Sequence, residues 1–526
     1  MTYRSAAALV TASGLGGLLT AWLLAPDYFH SRGFPLDEAW IHAVYGRSLA
    51  QSGLLAYNPG IPATGATSPL WAVALAALHL VASSVPTLLL SAKLLGFSLH
   101  LLGTLLLLRG LDERDGVGAP SLLGCALAAY HPDLVAASLS GMEIPLAALV
   151  AAGLLLAARG SGPLGYGTLS LAAPLARPEL SVLCFALPVA LWIQRDRRRL
   201  GRLVGAAAVG NAAALGLVGG YTLAVSGLPR LASYPAKVGA EAASLVSGGV
   251  AGFRELLGAF PVADSSILVG AAAVVAVRVV LSRPVAGAAL YSPAAALLGA
   301  LTLCVACFVL VPPADPRAFH QQRYTLPVLP LMVGAVPVLV LAELRRLLPA
   351  RPARLARVGV VALLLLSVLV TARVRYTALA NNAQNIDDVQ VSIGKRLASA
   401  APGDVAWVVD GGAIRYFGNA FVVDLTGLNN AQMLGAGAQR FLDRHPPRYI
   451  ELVPMSSVMD AEAGRGLTAA HFRPTTPYTV SGYPALQHHW LVGCDEASHP
   501  RRIDVRGRLF AFRCAPRAPT AGTSGL

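Results

Sequence analysis

Charge is what this sequence has least of. Asp, Glu, Lys and Arg make up 13% of its 526 residues, about half the ~25% of an average soluble domain, while hydrophobic residues make up 55%. That balance excludes a water-soluble fold of this length. Acids are the scarcer sign, 27 against 41 basic residues, and the formal net charge is +14. The excess forms no basic stripe interleaved with aromatics, so no nucleic-acid partner is expected. Cysteine is scarce too, at six residues. Cys125, Cys184, Cys304 and Cys307 lie in apolar runs, where small buried hydrophobes are expected, and the Cys304–Cys307 spacing lacks the other two ligands of a zinc site. Cys494 and Cys514 fall in a hydrophilic stretch and can form a disulfide if that stretch lies outside the cytoplasm. The opening 29 residues have a basic start and an apolar run but no clear small-x-small cleavage site, so they read as an uncleaved first helix.

Long apolar runs are what the chain has instead. They recur from residue 6 to about residue 372, after which charges disperse, short β-prone runs appear and no further run of spanning length occurs. The expected organisation is a membrane part, 1–372, and a small α/β domain, 373–526. Arginine clusters at 109–114, around 159, at 195–202, 278–283 and 345–357 belong in the cytoplasm by the positive-inside rule. The run at 70–83 is too short to span and suits a re-entrant or interfacial helix. About eleven crossings remain: 6–25, 87–109, 118–137, 143–159, 162–177, 178–194, 203–226, 264–283, 286–311, 324–342 and 356–372. The fold class is thus mainly α, a polytopic helical bundle with a C-terminal α/β domain. An odd count puts the N-terminus in the cytoplasm and the C-terminal domain outside the inner membrane.

That topology has an unforced consequence. Asp37, Glu38, His131, Glu143, Arg177, Glu179, Lys237, His320 and Arg323 all fall on the outer side. Ionisable groups within or beside a membrane are costly, and their convergence on one face marks a functional cavity. Asp37 and Glu38 open a helix that Gly53 can stop, and they can either complement its N-terminus or act as a general base or cation ligand. Tyr57-Asn58-Pro59-Gly60 has turn composition, and Ser68-Pro69 reads as an N-cap followed by a first helical residue. Glu143 can cap a helix; Arg177 and Glu179, flanking Pro178, can pair with each other or leave the cation for a phosphate. Lys237 can stay solvated or supply a point charge, and His320, Arg323 and Tyr324 can anchor a helix end or contact phosphate. Asp410-Gly411-Gly412 lacks dinucleotide-loop spacing and reads as a turn.

Together these pieces resemble the GT-C superfamily of polytopic glycosyltransferases, in particular the bacterial arabinofuranosyltransferase-like members. The resemblance is carried by Asp37-Glu38, Tyr57-Asn58-Pro59-Gly60, Thr67-Ser68-Pro69-Leu70-Trp71, Ser140-Gly141-Met142-Glu143, Ala176-Arg177-Pro178-Glu179, Tyr234-Pro235-Ala236-Lys237, Arg323-Tyr324 and Asp410-Gly411-Gly412. Two positions depart from the family pattern: Asp37-Glu38 stands where two aspartates are common, and Arg230-Leu231 where an Asn-Thr pair is. The resemblance implies transfer of a sugar from a polyprenyl-phosphate donor to an acceptor hydroxyl of a glycan, lipid or protein at the extracytoplasmic face. Asp37 is then the expected catalytic acid residue with Glu38 assisting, and Arg177, Lys237, His320, Arg323 and Tyr324 hold the donor phosphate. Glu143, Glu179, Tyr57 and Asn58 line the cavity. A divalent cation, Mg or Ca, is compatible but not required. Asp37→Asn is expected to remove turnover with melting almost unchanged. A transporter or flippase of lipid-linked glycans would also explain many helices and intramembrane charges, but no inverted repeat is visible. A non-catalytic assembly protein would need no carboxylate at position 37.

Overall fold

The computed structural model describes residues 1–30, 32–112, 116–228, 263–281, 290–310, 325–453, 457–459, 467–472, 489–494, 501–505 and 508–515. Lys237, His320, Arg323 and Tyr324 lie outside these residues, as does the Arg230-Leu231 departure.

The chain opens with α1 (Tyr3–Leu24), a short α2 (Pro26–His30) and α3 (Asp37–Ser52). A small hairpin of β1 (Ala56–Asn58) and β2 (Ile61–Pro62) follows, then α4 (Pro69–Val81). Sequence sets these bounds locally. Gly53 ends α3 in the left-handed region at φ 69°, and the Ser68 hydroxyl accepts the Trp71 N–H at 3.3 Å ahead of Pro69. With 13 residues, α4 is too short to span.

The bundle continues with α5 (Val85–Leu111), α6 (Ala119–Tyr130), α7 (Pro132–Leu139), α8 (Ile144–Gly160), α9 (Pro163–Ala176), α10 (Ser181–Trp192) and α11 (Arg197–Ser226). Then come α12 (Ala263–Leu281), α13 (Tyr291–Leu310), α14 (Leu329–Leu347) and α15 (Ala350–Ile386). Small residues let these helices approach closely, as membrane helices must when lipid offers no hydrophobic squeeze. Gly124 of α6 lies directly on the backbone of Gly334 in α14, where any side chain would collide.

Helices occupy the described parts of every expected crossing, but fewer than eleven have the length and composition of a full span. Among the described residues, four helices are long and apolar enough to span: α1, α5, α11 and the continuous helical run 350–399. A fifth is the pair α6 and α7, bent by 46° where Pro132 cannot continue the backbone ladder. Several others, such as α8 and α10, are apolar but shorter. The expected span 178–194, for example, is divided into a 3-10 turn, Pro178–Leu180, and α10. The arrangement is that of a multi-pass membrane protein.

One end of the bundle gathers arginines. The Arg159 guanidinium donates to the Arg109 and Gly110 carbonyls at 2.7 and 2.9 Å, and Arg195 lies 4.8 Å over the Tyr291 ring.

Helix α15 passes residue 373, where the composition changes, without a break. It continues through a π turn, Asp387–Val391, into α16 (Ser392–Arg396). The first strand beyond it, β3 (Val405–Val408), is parallel to β4 (Phe421–Asp424) and β5 (Tyr449–Leu452). Antiparallel β7 (Leu467–Phe472) and β8 (His489–Cys494) complete a five-stranded sheet in the order β4-β3-β5-β8-β7. A second, antiparallel sheet joins β6 (Ser457–Met459), β9 (Arg501–Val505) and β10 (Arg508–Phe512), and α17 (Ala413–Phe417) and α18 (Ala438–Arg444) pack alongside. Cys494 and Cys514 are joined in a disulfide, with Cα atoms 5.2 Å apart.

This C-terminal unit shares a core with the first loop of the chain. Phe34, Trp40, Tyr45 and Tyr57 are buried in one cluster with Ile414, Tyr416 and Val422. Trp40 meets the rings of Tyr416 and Phe417 at 5.0 Å each. Burial of aromatics of this size contributes most of what holds two such surfaces together.

Candidate active site

Helix α3 opens on two adjacent acids and directs them two ways. Successive helical residues are 100° apart, so Asp37 and Glu38 cannot share a direction, whereas Glu38 and His42, four apart, lie on one face. Asp37 faces the C-terminal domain. Its Oδ2 accepts the Gly412 N–H at 2.7 Å and its Oδ1 the Ala413 N–H at 2.8 Å. Burial pushes the Asp37 carboxyl well above the usual carboxylate range, Asp410 pushes it further, the Ala413 and Gly412 N–H groups pull it back, and Glu38 adds a smaller upward push. The anion is therefore strained by its neighbours and retained by two backbone donors.

His42 faces the bundle. Its Nε2 lies 3.2 Å from Glu143 Oε2, and the opposite oxygen of Glu143 receives the Arg177 guanidinium at 2.6 Å. Arg177 also contacts Glu179 at 3.2 Å. Glu143 and Arg177 are 3% and 5% exposed, so this chain of charges is sealed from water, and a pair without both partners would be strongly destabilised. The structure thus joins Glu143, Arg177 and Glu179 in one linked group. It also adds His42, which sequence reasoning passed over; the available signal was its four-residue spacing from Glu38.

Tyr57 and Asn58 hold the C-terminal domain. The Tyr57 hydroxyl donates to the Gly411 carbonyl at 2.6 Å. The Asn58 amide is bidentate on Val422, donating to its carbonyl at 2.8 Å and accepting its N–H at 2.9 Å. Nearby, the Tyr45 hydroxyl takes the Gly65 N–H and donates to Asn429 Oδ1, both at 3.1 Å. Gly65 must be glycine here, since a Cβ would fall 2.6 Å from that hydroxyl and from the Leu428 carbonyl. His131, at the bend before α7, lies 3.8 Å from Asp133, whose other oxygen binds Arg375 at 2.6 Å.

Among the described residues no group of three or more His, Cys, Asp or Glu side chains is placed to hold a metal ion. A cavity of about 690 Å³ lies between α1 and α5, with Trp22, Arg32, Leu90 and Lys93 in its lining, and includes none of these carboxylates.

The bundle, the bent α6–α7 pair and the C-terminal domain docked on the first loop have counterparts among solved structures. The fold is that of ArnT. The crystal structure of ArnT from Cupriavidus metallidurans bound to undecaprenyl phosphate matches with a TM-score of 0.52 and 14% identity, covering 92% of this chain and 97% of that one. The apo form of ArnT matches with a TM-score of 0.53 and 15% identity, covering 93% and 98%. At these identities the likeness to ArnT is one of fold. Residues 382–496 match a family model described as a domain of unknown function, DUF8728. No curated protein matches the chain.

Proposed function

We propose that this chain is a membrane glycosyltransferase of the GT-C type that takes a sugar from a polyprenyl-phosphate carrier and delivers it to an acceptor hydroxyl of the cell envelope. The observation that carries the reading is a half-buried, N–H-held carboxylate, Asp37, opening helix α3 of an ArnT-like fold. The ArnT of the comparison binds undecaprenyl phosphate, which supports a carrier of that class here.

In this reading the acceptor oxygen forms a bond to the anomeric carbon as its proton passes to Asp37. The bond from that carbon to the phosphate oxygen breaks, and its electron pair leaves with the carrier phosphate. A carboxylate has about four lone-pair sites, so two N–H contacts leave Asp37 room to accept a hydroxyl proton. Its raised pKa matches a general base better than an ordinary aspartate would. Glu38 assists from the adjoining face, where His42, Glu143 and Arg177 continue. Arg177 is already paired to two carboxylates. Its part is to position the site and offer a partly compensated cation, while Lys237, His320, Arg323 and Tyr324 complete the phosphate contact.

In this reading the reaction takes place at the extracytoplasmic face of the inner membrane, which two features support. The arginine-rich end holds Arg109, Arg159 and Arg195, and the Cys494–Cys514 disulfide suits an oxidising compartment. The chain divides into a membrane part, 1–372, and an outer part, 373–526, joined by one continuous helix.

The test is release of polyprenyl phosphate, measured by mass spectrometry, in membranes of a deletion strain with and without the restored chain. Those membranes carry their own donors and acceptors, so neither sugar nor acceptor need be known. Faster release on restoration, with a new glycan mass in the envelope, supports the reading. Equal release with and without the chain refutes it.

A further inference from the structure

The Asp410-Gly411-Gly412-Ala413 turn belongs to the C-terminal domain, yet it binds the carboxylate of Asp37, about 375 residues away in sequence. Both oxygens of Asp37 are fixed by this turn, through Gly412 N–H and Ala413 N–H. A Cβ on Gly412 would fall on the Asp37 carbonyl oxygen and stand 2.6 Å from Oδ1 and 2.7 Å from Cγ, so the contact requires glycine for space. The turn is itself held on every side. Gln390 of the π turn donates to Asp410 Oδ2 at 3.1 Å, Glu451 of β5 accepts the Val409 and Asp410 N–H groups at 2.7 and 3.1 Å, and Tyr57 holds the Gly411 carbonyl. Such an arrangement exceeds what is needed to dock two surfaces that already share an aromatic core.

We propose that the C-terminal domain is a working part of the active site, in which Gly412 and Asp410 are positioning residues for the Asp37 carboxylate. This rests on the reading of Asp37 as the base. The turn has two opposed effects. Its N–H groups fix the direction of the carboxylate and favour the anion, and the Asp410 carboxylate, reinforced by Glu38, favours the proton. Tyr57 also faces Asp37, but its hydroxyl stays neutral because burial raises its pKa. Removing one arm of the turn must therefore shift the proton affinity of Asp37 one way, and removing the other must shift it the opposite way. A purely structural contact predicts no such reversal.

The experiment uses the full chain in membranes of the deletion strain and follows polyprenyl phosphate release against pH. Gly412→Ala pushes Asp37 off its donors. The rate is expected to fall about tenfold to hundredfold, as ~1 Å misplacements of reacting groups do. The loss should be in kcat rather than in KM for the carrier, and the acid limb should move to higher pH. Asp410→Asn keeps the turn's shape and removes a like charge, so its acid limb should move to lower pH. Gly435→Ala, in the same domain with nothing within 4 Å of the added Cβ, should match wild type. If Gly412→Ala fails to accumulate, Asp410→Asn decides alone. An unmoved or upward-shifted acid limb in Asp410→Asn, with Asp37→Asn inactive, overturns the positioning role and leaves Asp37 as the base. Full activity in Asp37→Asn sinks both.

Discussion

Replacing Asp37 by Asn tests the base directly, and the structure changes what that substitution should do to stability. The carboxylate accepts two backbone N–H groups at 2.7 and 2.8 Å. An amide has one acceptor oxygen, so one bond survives in neutral form while the amide nitrogen faces a second donor. A hydrogen bond to a charged group contributes about 1.5–3 kcal/mol, and an unsatisfied buried donor costs about 1–3 kcal/mol. Part of that is returned, since the substitution also relieves repulsion from Asp410 and Glu38. A net loss of about 1–3 kcal/mol results, not the almost unchanged melting expected from the sequence for loss of a general base. From a starting stability of roughly 5–15 kcal/mol the variant remains almost wholly folded. A fall in turnover of ~10²–10⁴-fold, the usual cost of a missing general base, therefore cannot arise from unfolding. The assay pairs thermal melting of purified protein in detergent with polyprenyl phosphate release in deletion-strain membranes, and Glu38→Gln, expected to lose less, is the comparison. Melting lowered by a few degrees with release at the wild-type rate would refute the reasoning, showing Asp37 to be a docking residue alone.

Three further outcomes follow from the same contacts. Asn58→Ala leaves the N–H and carbonyl of Val422 buried without partners, so stability should fall by about 2–4 kcal/mol, read by chemical denaturation, with unchanged stability speaking against the docking. Cys494→Ser opens a 20-residue separation closed by the disulfide and should cost ~3 kcal/mol by loop-closure entropy; thiol alkylation of the wild-type chain should find neither cysteine free. A phosphatase fused after Leu526 should be active and a cytoplasm-dependent reporter dark; the reverse would overturn the orientation.

The helices were legible because their ends are written in local chemistry. Gly53 and Ser68-Pro69 set the limits of α3 and α4, and the alternating run at Val405 became a strand. Span lengths were less legible, because hydropathy does not register where Pro132 and Pro178 divide an apolar run. The pairing of Arg177 with Glu179 was readable from two residues flanking one proline, whereas its stronger contact with Glu143 joins residues 34 positions apart. Least legible was the partner of Asp37. Asp410-Gly411-Gly412 reads correctly as a turn, but a backbone N–H carries no side-chain signature of what it will bind.

The long sequence span of these contacts bears on how the protein is made. Gly33 meets Asp387, Asn58 meets Val422 and Asp37 meets Ala413 across separations of 354, 364 and 376 residues. During synthesis the first loop emerges early and waits, unfinished, while the bundle is inserted. Its closing partners arrive only as the last third of the chain is made. Contacts of such separation form late, because the intervening chain must be ordered before they are rewarded. A nascent or truncated chain therefore sits in the membrane with Asp37 unaligned, and competence for chemistry becomes a property that only the finished polypeptide acquires.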